Sequence, residues 1–170
     1  MRRIIPALAW SACVALGGCS SAPGERAPTA QAGDAAASVS ALVDALAARG
    51  PGAEVTSDDL DALRRIADRE DWRRAMRAID LPEAEFVRLP VARRDARRQA
   101  DLDRAGALRR LGRSAAHEIS RLRAEGRSAE AAALARAVER LIEANRGPQT
   151  LALINAVAEA IERDYSSATP

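Results

Sequence analysis

The side chains that most often perform covalent or metal chemistry are scarce in this chain. The sequence contains one histidine, His117, and two cysteines, Cys13 and Cys19. A zinc site built on histidines needs several of them, and a Cys–His nucleophile pair needs a free thiol beside the imidazole. A serine nucleophile would need His117 as its base, yet the sequence has no Gly-x-Ser-x-Gly elbow to present such a serine. We therefore expect no catalytic residues and no enzymatic activity.

The sequence around His117 favours a structural interpretation. Gly-Arg-Ser-Ala occurs at residues 112–115 and again at residues 126–129. At each place the glycine is predicted to end one helix and the serine to cap the next, so Ser114 is interpreted as an N-cap. Whether residues 90–125 form one helix or two stays open at this point.

The densest acidic cluster also has a structural interpretation. Asp58, Asp59 and Asp61 could bind calcium or act as paired carboxylates, but the glycine and the distal glutamate of a calcium loop do not follow them. Acidic residues at a helix start compensate the helix dipole, so we predict that this cluster caps a helix beginning near Thr56. The chain also has no Gly-rich phosphate loop. We expect no metal, no cofactor and no small-molecule substrate.

A charged and apolar segment begins the chain. Arg2 and Arg3 precede an apolar run over residues 4–16, a pattern typical of a secretory signal and too short to span a bilayer comfortably. The segment ends in Leu16-Gly17-Gly18-Cys19, which resembles the lipobox of bacterial lipoproteins. The resemblance implies cleavage before Cys19 and attachment of a diacylglyceryl group to the Cys19 thiol, with a further acyl chain on the new amino terminus in many bacteria.

The resemblance also implies a location. Two or three acyl chains anchor a protein firmly, whereas a single chain binds a membrane only marginally. In Gram-negative members of the family an aspartate after the cysteine retains the protein at the inner membrane, and here that residue is Ser20. We expect a lipid-anchored protein of the cell membrane, at the outer membrane facing the periplasm if the organism has two membranes.

Composition argues against nucleic acid as a partner. All 26 basic residues are arginine, and removing residues 1–18 leaves 24 of them opposite 24 acidic residues. The mature side chains therefore carry no net charge, and the basic isoelectric point of the precursor depends partly on its signal peptide.

The pattern after the signal peptide predicts a linker followed by helices. Residues 19–33 hold the lipidated cysteine and a flexible stretch of small residues and prolines. Residues 34–165 show apolar stripes of helical spacing between Gly-Pro and Ser-Asp boundary signals, with no strand-like alternation. We predict an all-α domain, an irregular antiparallel helical bundle, followed by a disordered tail at residues 166–170. The alternative is a short α-solenoid, because residues 71–75 resemble part of a tetratricopeptide repeat.

Charge is distributed unevenly along the domain. Residues 44–85 carry 7 arginines and 11 acidic residues, whereas residues 88–127 carry 12 arginines and 5 acidic residues. Within the second segment, residues 92–101 contain no large apolar side chain and so cannot form a core helix. We call residues 92–104 the arginine arm. Its candidate interaction residues are Arg93, Arg94, Arg97, Arg98 and Arg104.

Two interpretations of the arginine arm remain open. It could be a solvated helix that also contacts the acidic segment, or a surface that binds anionic lipid head groups or an acidic protein. We expect the protein to be a membrane-anchored, non-catalytic binding or scaffold module with a partner in the cell envelope. The alternative is a protein that associates with anionic lipid or polymer through the arm, and an envelope enzyme is a further alternative.

Overall fold

The structure, a computed structural model, describes residues 37–79 and 81–168. No strand occurs in these ranges, so the predicted all-α fold class is confirmed. The predicted signal peptide at residues 1–18 and the linker at residues 19–33 lie outside them. The helices are α1 (Val39–Ala48), α2 (Ser57–Ala67), α3 (Trp72–Ala75), α4 (Glu83–Phe86), α5 (Val91–Ala124), α6 (Ser128–Ala144) and α7 (Ala152–Ser167).

The first two helices begin and end where their sequence signals lie. The apolar stripe of α1 is fully buried, and Gly50, with a φ of 96°, follows its C-terminus in a conformation that suits glycine. At the start of α2, Thr56 accepts a hydrogen bond from the Asp59 N–H, and the Asp59 side chain accepts one from the Thr56 N–H. This is a capping box, which confirms the capping interpretation of the acidic cluster.

Residues 91–124 form a single helix, which answers the question of one helix or two. The predicted stop at Gly112 and the predicted cap at Ser114 are therefore wrong. Gly112 is instead a point of close packing, because a Cβ atom there would lie 2.5–2.7 Å from side-chain atoms of Ile161 in α7. The stop before Gly126 is confirmed, with a φ of 75° at that glycine. However, Ser128 is the first residue of α6 rather than its cap.

The helices form an irregular bundle with α5 at its centre. Helix α5 packs against α1, α6 and α7. The short connection between α5 and α6 makes these two helices antiparallel neighbours. In a solenoid each helix contacts mainly its neighbours in sequence, whereas here α5 contacts α1 and α7 across long stretches of chain. The tetratricopeptide-like alternative is therefore not adopted, and Trp72 begins a helix of only four residues.

The core consists mainly of leucine, isoleucine, valine and alanine side chains from every long helix. The aromatic residues of the described part, Trp72, Phe86 and Tyr165, are half-buried at the edge of this core. Helix α7 continues to Ser167, past the predicted end of the domain at residue 165.

Candidate binding surface

The N-terminal part of α5 lacks the buried face that the rest of the helix has. No side chain between residues 91 and 100 is buried, whereas ten residues between Asp101 and Leu122 are. This agrees with the absence of large apolar residues from residues 92–101. A helical segment that is polar on all sides gains little from the core, so its side chains are available for other contacts.

One side of the arginine arm is engaged within the molecule. Arg104 donates two hydrogen bonds to Asp44 of α1, the longer at 2.8 Å, and Arg97 donates one to Asp101 at 3.1 Å. Together with Arg93, these arginines fall within about 40° of one another around the helix axis. The interpretation of a helix that contacts the acidic segment therefore applies to Arg104, since Asp44 belongs to that segment.

The remaining arginines of the arm have weak contacts or none. Arg93 and Arg94 form no ion pair with any carboxylate in the described part of the chain, and Arg98 lies 3.9 Å from Asp95. Arg94 and Arg98 are one turn apart, so they share a face of α5 that lies away from Asp44. The structure thus separates the five candidate residues into three groups. Arg97 and Arg104 donate hydrogen bonds to carboxylates, and Arg98 has one long contact with Asp95. Arg93 and Arg94 have no carboxylate partner in the described part of the chain.

An apolar groove that the sequence did not predict lies beside this second face. It has a volume of about 310 Å³, and α5 contributes Arg98, Asp101 and Leu102 to it. Phe86 of α4 and the start of α7 complete it, and its full apolar lining is Phe86, Leu102, Leu151, Ala152 and Leu153. The groove brings together residues from three separate segments, so no local sequence pattern reveals it.

Three large apolar side chains of residues 37–79 and 81–168 are exposed, and one of them, Leu102, lines this groove. Val91, Val87 and Leu102 are 62%, 55% and 47% exposed. Val91 and Leu102 are eleven residues apart, a spacing that places them within about 20° of each other on one face of α5. That spacing is the signal that the sequence offers, and it is a weak one because the residues between the two are polar or small.

Asp101 is the polar residue at the buried side of the groove. Three polar or charged residues are buried in the described part: Asp59, Asn145 and Asp101. The first two have donors or acceptors for their polar side-chain atoms. Asp101 accepts a hydrogen bond from Arg97 on Oδ2, but its Oδ1 is buried without a donor. Asp101 Oδ1 is one of four buried side-chain polar atoms without a protein hydrogen-bond partner in the described part, the others being the Nε atoms of Arg64, Arg109 and Arg110.

The surroundings of His117 do not assemble a nucleophile. His117 is exposed in a groove of about 330 Å³ that also contains Ser120, Asp164 and Ser167. Both serine hydroxyls donate to backbone carbonyls, and Asp164 accepts a hydrogen bond from Arg109 at 3.3 Å. No hydrogen bond joins His117 to a serine hydroxyl or to a carboxylate within the described part of the chain.

Two further observations concern metals and membranes. Within the ranges that the structure describes, no group of three or more His, Cys, Asp or Glu residues is placed to hold a metal ion. No helix there is both long and apolar enough to cross a bilayer. The predicted lipidation residue, Cys19, lies outside these ranges.

The arginines of the arm, the exposed valines and the groove around Asp101 together make up the candidate binding surface. The chain matches no family model, no curated protein and no solved structure.

Proposed function

We propose that the protein is a membrane-anchored lipoprotein of the cell envelope and that it acts as a non-catalytic helical binding module. Cys19 carries the anchor, and the N-terminal part of α5 presents the binding surface. The anchor rests on the lipobox-like sequence at residues 16–19 and on the charged and apolar segment before it. The binding role rests on the structure of α5.

One observation carries the binding proposal. The first ten residues of α5 have no buried side chain, although they continue a helix that is central to the core. The segment carries Arg93 and Arg94, which have no carboxylate partner in the described part of the chain, and Val91, which is 62% exposed. A polar helical extension of this kind contributes little to folding, since exposed ion pairs stabilise by only about 0–1 kcal/mol. Contact with a partner is the function that its composition fits best.

Site-specific crosslinking in cells tests this proposal. A photoreactive amino acid replaces Arg94 in the arm, and a matched variant carries it in place of Arg136, which is exposed on α6. We expect a discrete protein adduct from position 94 and none from position 136. Equal adducts from both positions, or none from position 94, would contradict the assignment of the arm as the binding surface.

A second candidate function is association with an anionic lipid surface. It is favoured by the exposure of Val87 and Val91 next to the arginines of the arm, because basic residues beside apolar ones are typical of segments that lie in a membrane interface. Binding of this kind would weaken steeply with salt and would not select among anionic surfaces.

A further inference from the structure

We propose that the groove between α4, α5 and the start of α7 is a docking site for a peptide segment of a partner protein. The segment places one large apolar side chain in the groove and acidic residues beside Arg94 and Arg98. This inference deepens the proposed binding function and rests on it, because it names the chemistry of the partner and the place where it binds.

The apolar lining of the groove is the part that would bind the large apolar side chain of the peptide. The groove volume of about 310 Å³ is at the low end for ligand pockets, which range over roughly 300–1,000 Å³. This volume is sufficient for a leucine, phenylalanine or tryptophan side chain. Leu102 borders the groove and is 47% exposed, so an occupant that covers it gains from removing apolar surface from water.

The arginines beside the groove are the part that would bind the acidic residues of the peptide. Arg98 lines the groove, and Arg94 lies one turn before it on the same face of α5. Arg94 has no carboxylate partner in the described part, and the nearest one to Arg98 is 3.9 Å away. Asp101 accepts a hydrogen bond from Arg97, and Glu83 accepts one from the Ala152 N–H. Arg94 and Arg98 are therefore the charged side chains at the groove with the weakest contacts inside the molecule, and acidic residues of a peptide complement them.

The carboxylates at the groove favour a peptide over a lipid surface. Glu83 and Asp101 line the groove, and Asp95 lies beside Arg98 on the helix surface. These negative groups would repel a continuous anionic head-group layer, whereas a peptide can place its charges beside the arginines only. A peptide also carries N–H groups, and Asp101 Oδ1 lacks a donor. That oxygen is buried, so a donor reaches it only when the lining side chains shift.

Selection from random peptides tests the proposal while the partner is still unidentified. The full chain, held in nanodiscs of neutral phosphatidylcholine, is the target for a phage-displayed library of random linear peptides. We expect enrichment of sequences with one large apolar residue flanked by Asp or Glu. Leu102→Gln should weaken an enriched peptide on the order of tenfold, since it removes apolar contact area. Ala132→Gln on the exposed surface of α6 is the matched control and should leave binding unchanged.

Charge is tested in the same assay. The double variant R94Q/R98Q should weaken the enriched peptides on the order of tenfold, and R136Q should not. Enriched peptides without acidic residues, or equal binding to L102Q and the parent protein, would overturn the docking site. A library that yields no enriched sequence would overturn it as well.

A further experiment distinguishes a peptide from an anionic lipid surface as the occupant of the site. Hydrogen exchange of residues 86–102 is compared in nanodiscs of neutral lipid and in nanodiscs rich in phosphatidylglycerol. We expect the same exchange in both. Protection by the anionic lipid that R94Q/R98Q removes would assign the surface to the membrane and overturn the peptide proposal. If peptide selection fails but position 94 still forms crosslinks, only the docking site in the groove is refuted. If no crosslink forms, the proposed binding function is refuted.

Discussion

Asn145 shows how much one buried polar side chain can hold together in this fold. It follows the last turn of α6, and its Nδ2 donates to the Met76 and Leu141 carbonyls at 2.8 and 2.9 Å. Its Oδ1 accepts from the Ala78 N–H at 2.9 Å. The side chain thereby joins the end of α6 to the loop after α3, where it supplies partners for the Met76 carbonyl and the Ala78 N–H.

We predict that Asn145→Ala lowers the free energy of unfolding by about 2–4 kcal/mol, because it leaves the buried Ala78 N–H and Met76 carbonyl without partners. Urea denaturation followed by circular dichroism measures the change. Asn155→Ala is the control, since Asn155 is half-buried and bonds to Gly147 and Glu159 near the surface. A cost at Asn145 no larger than at Asn155 would show that water replaces these bonds.

The proposed membrane anchor depends on a single residue, Cys19. Cys19→Ser removes the thiol that the lipobox resemblance assigns to acylation, so we expect the protein to leave the membrane fraction or to remain as an unprocessed precursor. Cell fractionation and the size of the product measure this. Cys13→Ser is the matched control, because Cys13 lies in the apolar segment that cleavage would remove. Normal processing and sedimentation of the Cys19→Ser protein would refute the anchor.

Sequence reasoning succeeded at residues whose role depends on near neighbours. The cap at Thr56 was predictable because its partner, Asp59, is three residues away. The roles of Asn145 and Asp101 were not, because the partners of Asn145 are up to 69 residues away and the groove beside Asp101 is built by α4, α5 and α7. Such roles depend on which helices meet, and no single stretch of sequence specifies that.

At the scale of helices, Gly112 illustrates the same limit. Its place in Gly-Arg-Ser-Ala suggested a helix boundary, yet α5 passes through it because close packing against Ile161 requires the absence of a Cβ atom. A glycine within a helix costs roughly 1 kcal/mol relative to alanine, and the close approach of α5 and α7 offsets that cost. The stop signal near Gly126 was interpreted correctly because no other helix packs tightly at that position.

We predict that Gly112→Ala lowers the free energy of unfolding by about 1–3 kcal/mol, because the new methyl group overlaps the Ile161 side chain. Thermal and urea denaturation measure the effect. Gly106→Ala, in the same helix, is the matched control. A Cβ at Gly106 meets only the Arg110 guanidinium at 3.7 Å, so this change should raise stability by up to about 1 kcal/mol. Effects of equal sign at the two glycines would contradict the packing argument.

For the whole molecule, the uneven charge predicted from sequence is only partly neutralised by folding. The pair between Arg104 and Asp44 joins the basic and acidic segments, and Arg110 donates to backbone carbonyls at Leu46 and Gly50. The beginning of α5 lies outside these contacts. The fold therefore uses these later arginines of the basic segment for contacts between helices. It leaves Arg93 and Arg94 without carboxylate partners in the described part and gives Arg98 only a long contact with Asp95.

Adjacent arginines of the arm should consequently behave differently, and this is the prediction that separates structure from function. Arg97→Ala removes the hydrogen bond that Asp101 receives and leaves a buried carboxylate without a donor, so stability should fall by about 1–3 kcal/mol. Arg98→Ala should change stability by less than about 1 kcal/mol, because its contact with Asp95 is long and exposed.

The two variants should also differ in partner capture, because Arg98→Ala is expected to affect the adduct and Arg97→Ala is expected to affect stability. With the photoreactive residue at position 94, Arg98→Ala should reduce the adduct while denaturation curves stay unchanged, and added salt should mimic the loss because exposed charges are screened. Arg97→Ala should instead shift the denaturation curve to lower denaturant concentration. If Arg98→Ala destabilises the domain as much as Arg97→Ala does, both arginines stabilise the folded domain. That result would contradict the proposal that the arm is a binding surface.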